Sequence, residues 1–176
     1  MVFDLVCRIV SVMETDNAPT TLCFTIRGQP RPKQSARWVN GRARAVTETN
    51  ATTKAWALQV RRAAGEVVAD MRTHDPVLFE GDALAVRLVF TIGTDDPARQ
   101  GRPHTAKPDA DNLAKLVLDE LGKAGMLPDG DQAVADLDVR KRWGRKTDAG
   151  CIVRVDAVGA QSVAEGVLTP PWLGVG

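Results

Sequence analysis

Two stretches of the chain repeat their apolar residues at helical spacing. From about Thr52 to Met71, the residues Trp56, Val60, Ala63, Ala64, Val67 and Met71 recur three and four positions apart, which predicts a long amphipathic helix with a basic first half. Leu113, Leu116, Val117 and Leu121 do the same between Asp111 and about Lys123, with Asp111 placed to cap the helix and Gly125 to end it. Other stretches alternate. Leu22 to Arg27 reads as a strand closed by Gly28, and Ala83 to Gly93 as a β-branched strand. Ala133 to Trp143 and Cys151 to Val158 alternate on either side of Gly144 to Gly150, which predicts a β-hairpin with a basic end. Val39-Asn40-Gly41-Arg42 carries the Asn-Gly signature of a tight hairpin. Residues 2 to 13 fit a helix by spacing and a strand by their β-branched content. The predicted order is β, hairpin, α, β, α, β, β: one α/β (α+β) domain over residues 21–158, a small mixed sheet packed against two main helices. Residues 1–20 form an extension, and residues 159–176, with Pro170-Pro171, an irregular tail.

With 176 residues, 44% of them hydrophobic, the chain has material for one such core and not for a second large domain. No apolar run approaches the ~18 residues of a membrane span, and the N-terminal stretch lacks a basic segment of the secretory kind. Cys7, Cys23 and Cys151 are odd in number and far apart, unlike a disulfide framework or a zinc ribbon. These features predict a cytoplasmic protein that is neither secreted nor embedded in a membrane.

The formal net charge of +1 conceals a strong segregation. Residues 27–62 hold nine Lys or Arg against the single acid Glu48, whereas residues 63–139 hold seven bases against fifteen acids. The first stretch includes Arg31, Lys33, Arg37, Arg42 and Arg44, carried on a proline-stiffened loop and the following hairpin, and suits the grip of a polyphosphate. In the second stretch Lys107-Pro108-Asp109-Ala110-Asp111-Asn112-Leu113-Ala114-Lys115 is followed by Asp119 and by Asp129-Gly130-Asp131.

If Pro108 keeps Lys107 extended and Asp111 caps the helix, Asp109 and Asp111 lie on one side of a segment entering it. Lys115 stands one turn beyond Asp111, and Asp119 one turn further, where it would orient that lysine. The loop carrying Asp129 and Asp131 can fold back to add a third carboxylate. Oxygen donors without a His or Cys cluster favour Mg2+ or Mn2+ over zinc. An ion so held lowers the pKa of a bound water for attack on a phosphodiester, with Lys115 adding positive charge. Taken alone, an Asp-x-Asp before a helix more often has plain loop and cap roles.

The larger pattern Asp109-x-Asp111-Asn112-Leu113-x-Lys115, then Leu118-Asp119-x-Leu121, Ala124-Gly125 and an acidic loop leading into a strand near Val134, resembles RusA-type Holliday junction resolvases, frequent in phages and prophages. Gly28-x-Pro30-x-Pro32-Lys33 followed by Arg37 is similar to phage members of that family. The resemblance runs over roughly residues 22–158. It implies a RusA-like fold and a homodimeric, Mg2+-dependent endonuclease that nicks opposed strands of a four-way junction in DNA recombination and repair. It also implies metal ligation by Asp109 and Asp111 and a catalytic role for Lys115. For the third acid the family has adjacent aspartates where this chain has Asp129-Gly130-Asp131; Asp131 fits the spacing to the strand and Asp129 the spacing to the helix, and Asp131 is favoured as ligand with Asp129 behind it. Arg31, Lys33, Arg37, Arg42, Arg44 and Lys107 are the expected DNA contacts.

Two rivals share these features: a nuclease that prefers other branched or flapped DNA, and a non-catalytic module that clamps branched DNA. Trp38 is placed either to stack on a base or to pack on its own hairpin. Trp56 reads as core, Trp143 as packing across its hairpin, and His104 as a solvated loop residue. The basic strand end 140–146 reads as a solvated edge or as a continuation of the DNA surface.

Overall fold

The computed structural model describes residues 21–33, 37–39, 42–44, 51–73, 79 and 83–158, with backbone alone for 37–39 and 42–44. Strand β1 is Thr21–Arg27, and the short β2 (Arg37–Val39) and β3 (Arg42–Arg44) follow. Helix α1 is Ala51–Met71, β4 is Ala83–Thr94, and α2 is Ala110–Lys123. A 3-10 turn at Gly130–Ala133 leads into β5 (Val134–Arg145), and a second at Lys146–Asp148 into β6 (Gly150–Val158).

The most apolar strand takes the middle of the sheet. Leu84, Val86, Leu88, Phe90 and Ile92 of β4 are all buried on one face, and Ala85 and Thr91 are buried on the other. A strand buried on both faces belongs in the interior of a sheet. The order is accordingly β1-β6-β4-β5, with β4 parallel to β5 and antiparallel to β6.

This arrangement corrects the expected hairpin. β5 and β6 do not pair with each other; the 3-10 turn at Lys146–Asp148 carries the chain past the end of β4, which lies between them. Alternation in β5 and β6 reported their half-buried faces correctly but not their partners, because a period of two is the same against any neighbour. β6 also pairs with β1, and at its first position, Gly150, a Cβ would come within 2.3 Å of the Ile26 carbonyl oxygen.

Both helices lie on the sheet face formed by Leu22, Phe24, Ile26, Leu88, Phe90, Val153 and Val155. Trp56, Val60, Ala64, Val67, Val68 and Met71 of α1 and Leu113, Leu116, Val117 and Leu121 of α2 complete one core. Truncating such a residue to Ala typically costs ~2–5 kcal/mol. The helices are also joined by a charge cluster: Glu120, 4% exposed, accepts from Arg61 Nε at 2.7 Å and Nη2 at 2.6 Å, and from Lys123 Nζ at 2.6 Å. The predicted fold class therefore holds, and Trp56 is core as expected. The strands flanking Asn40-Gly41 pair in the hairpin register Val39↔Arg42. The extension 1–20, the tail 159–176 and the helix-or-strand question at 2–13 lie outside the described residues.

Candidate functional site

The N-terminus of α2 is where the Pro-rich loop meets the Asp-x-Asp segment, and two connections carry the chain to it. After β1, Gly28 N–H donates to Ala149 O at 2.9 Å, and Gln29 Oε1 accepts from Gly93 N–H at 3.0 Å. These bonds lay the Pro-rich loop across the end of the sheet. Lys33 N–H then donates to Asn112 O at 2.9 Å, and the Lys33 ammonium bonds the Asp119 carboxylate. Pro32, Lys33, Lys107, Pro108, Asp109 and Asn112 line a hollow of about 350 Å³. The first basic loop and the Asp-x-Asp segment, remote in sequence, are thus walls of the same cleft.

Asp119 therefore pairs with Lys33 and not with Lys115, against the sequence expectation. The i,i+4 geometry permits the helical pair, but such a pair stabilises by only a few tenths of a kcal/mol, and a lysine from a docked loop competes successfully. Lys115 is exposed and has no ion pair among the described residues.

With Asp111 as its cap the helix would begin at Asn112; it begins two residues earlier, at Ala110. Its N-cap is Asp109, in extended conformation, and Asp111 lies in the first turn; Leu113 N–H donates to Asp109 O at 3.2 Å. Ala110, a strong helix former, extends the helix and displaces Asp111 from the cap. Asp109 makes no side-chain capping bond, so its exposed carboxylate is not consumed by the helix end. Asp111, Lys115 and Asp119 follow one another at four-residue spacing along the side of α2 away from Leu113 and Val117. Helix α2 ends as expected, with Gly125 at φ 78°.

Asp131 is exposed in the 3-10 turn at Gly130–Ala133, with Asp129 at that turn's N-cap. Among the described residues no three Asp, Glu, His or Cys side chains converge closely enough to hold a metal ion together. Asp109, Asp111 and Asp131 are thus not a closed cage. Each of the three carboxylates is exposed, and a Mg2+ or Mn2+ ion needs only one or two protein carboxylates, completing its shell with water and phosphate.

Loop 95–109, which leads to Asp109, is fastened to the outer edge of β5. Gly101 N–H donates to Trp143 O and Trp143 N–H to Arg102 O, both at 2.9 Å, and His104 N–H donates to Lys141 O at 3.0 Å. The Lys141 ammonium then donates to Ala106 O at 3.0 Å and Pro108 O at 2.7 Å.

His104 is not solvated. It is 4% exposed, its ring lies 4.0 Å from that of Trp143, and neither ring nitrogen has a hydrogen-bond partner among the described residues. Burial holds its pKa below the usual 6.5, and the Lys141 ammonium pushes it further down. Trp143 in turn packs on His104 and under Arg99, 5.4 Å away, and not across a hairpin.

The basic strand end is partly neutralised, by Asp138 on Arg140 and Asp95 on Lys146. Burial pushes the Cys151 thiol well up, which leaves it inert. Arg31 and Lys107 are exposed as expected, while the side chains of Arg37, Trp38, Arg42 and Arg44 lie outside the described residues. Sequence reasoning missed Lys141; no local pattern distinguishes it from its basic neighbours Arg140 and Arg142. No described helix is long and apolar enough to cross a membrane.

A family model described as Endodeoxyribonuclease RusA matches residues 27–156. Among curated proteins, none matches the chain.

Proposed function

We propose, from the premise that this chain belongs to the endodeoxyribonuclease RusA family, that it is a Mg2+-dependent, structure-selective endonuclease resolving four-way DNA junctions in recombination and repair. The observation that supports this reading is the docking of Lys33 onto Asn112 and Asp119, which puts the basic Pro-rich loop and the exposed Asp109 on one cleft. A cation-lined wall that positions a phosphodiester beside acids able to hold a hard metal is what hydrolysis of DNA requires.

Asp109 and Asp111 would hold the ion, with Asp131 as the third carboxylate. When bound, Mg2+ supplies Lewis acidity and a water of lowered pKa. Lys115, exposed one turn beyond Asp111, contributes its positive charge to the phosphoryl oxygens and the leaving oxygen. Arg31, Lys33 and Lys107, with Arg37, Arg42 and Arg44 of the hairpin, contact the backbone of the junction arms. The positive end of α2 adds a further attraction for phosphate. One cleft cuts one strand, so paired nicking calls for a homodimer, in keeping with the twofold symmetry of a four-way junction.

The test is a labelled synthetic four-way junction incubated with the protein in Mg2+ or in EDTA, beside linear-duplex and flap controls. The expected result is a pair of symmetric nicks near the junction in Mg2+ alone. Tight binding with no nick in either Mg2+ or Mn2+ would make the protein a clamp, and faster cutting of the flap would make it a nuclease of other branched DNA. Sedimentation equilibrium at working concentration checks the dimer.

A further inference from the structure

We infer that Lys141 is a positioning residue, which sets the acid-bearing end of loop 95–109 by holding the carbonyls of Ala106 and Pro108, two of the three residues just before Asp109; this rests on the reading of Asp109 as a metal ligand. The inference begins with how the loop is attached. Through residue 104 the loop runs as an added segment along β5, with an antiparallel bridge at Pro103↔Arg142 and the backbone bonds of Gly101, Arg102 and His104. That pairing then stops. Among the described residues, the hydrogen bonds that reach residues 105–108 come from one side chain, Lys141, at 3.0 Å to Ala106 O and 2.7 Å to Pro108 O. Pro108 has no N–H, so its carbonyl is the handle it offers, and that carbonyl belongs to the peptide joining it to Asp109. The ammonium is thus bonded to the peptide immediately before the ligand.

The strand register explains why a residue of β5 can do this. Lys141 stands opposite Phe90, whose side chain is buried on the helix side of the sheet. Alternation therefore sends the Lys141 side chain to the side where α2 begins, while Arg140 and Arg142 point to the other face. Two charge-assisted bonds from one rotatable ammonium fix both ends of a three-residue span, Ala106 to Pro108. The backbone carbonyl of the same lysine holds His104 N–H, so three bonds from one residue cover the last turn of the loop. Partners that orient metal ligands typically contribute about 10–100-fold in metal affinity or activity.

The test compares Lys141→Met and Lys141→Arg with the unmodified chain. In Lys141→Met, amide hydrogen exchange across residues 105–113 is expected to accelerate while the core of β4 and α1 stays protected. Nicking of the junction should fall about 10–100-fold and need more Mg2+ for half-saturation, whereas junction binding in EDTA should change by less than about twofold. Lys141→Arg keeps the charge and several donors, and should recover part of both losses. Unchanged exchange at 105–113 together with unchanged nicking would overturn the inference. So would a loss of EDTA binding with Mg2+ half-saturation preserved, which would make Lys141 a phosphate contact. Should the unmodified chain fail to nick any junction, the nuclease reading falls, and the exchange measurement still decides whether Lys141 holds the loop.

Discussion

Asp111→Asn separates the catalytic reading of the site from a purely structural one, because the two assign the carboxylate very different energies. Asp111 is exposed in the first turn of α2 and is not its cap, so Asn neither removes a capping bond nor opens a cavity. The structural cost is the loss of one negative charge near the positive end of a helix, about 0.3–1 kcal/mol. For a domain of this size a loss of that order lowers Tm by about 1–4 °C. If Asp111 holds Mg2+, the same substitution removes one of the few charges on a metal whose Lewis acidity is worth several kcal/mol in the transition state, so nicking should fall by about 10²-fold or more. Binding should move the other way: a carboxylate about 8 Å from a phosphate in water repels it by about 0.5 kcal/mol, and its removal tightens the junction about twofold at low salt. The assay is single-turnover nicking at saturating protein, with junction Kd in EDTA and thermal melting on the same preparations. A folded variant that melts within a few degrees of the original and nicks at the original rate would refute the reasoning.

Two further expectations follow from contacts that the structure revealed. Asp119→Asn releases the Lys33 ammonium; binding of the junction in EDTA should tighten, and the plot of log affinity against log salt should steepen by up to about 0.9 as Lys33 takes up a phosphate. A slope that stays the same while nicking collapses would instead favour Asp119 as a partner of Lys115. His104 has a folded pKa below its ordinary 6.5, so between those two values the unfolded chain binds a proton that the folded chain does not. Stability should therefore be present above about pH 6.5, fall as pH is lowered through 6.5, and level off below the folded pKa. His104→Phe keeps a ring against Trp143 and should flatten that fall in Tm; an identical pH profile in both proteins would show that His104 is not its source.

Local physics made much of this protein legible in its sequence. The spacing of Trp56, Val60, Ala64, Val67 and Met71 needs only a period of 3.6 and one core to face, and α1 followed it. The Asp-x-Asp segment before an apolar helix, the basic loop with its prolines, and the Gly125 stop are likewise local chemistry. Pairing is not local. Strands β5 and β6 alternate in the same way whether they neighbour each other or flank β4, and only the competition for the most apolar strand placed β4 between them. Asp119 had two lysines within its possible reach, and the docking of residues 28–33 across the end of the sheet decided for Lys33. The attachment of a fifteen-residue loop to the edge of β5 buried His104 and gave Lys141 its carbonyls. Both depend on contacts between segments some 35 residues apart in sequence, contacts that no periodicity encodes.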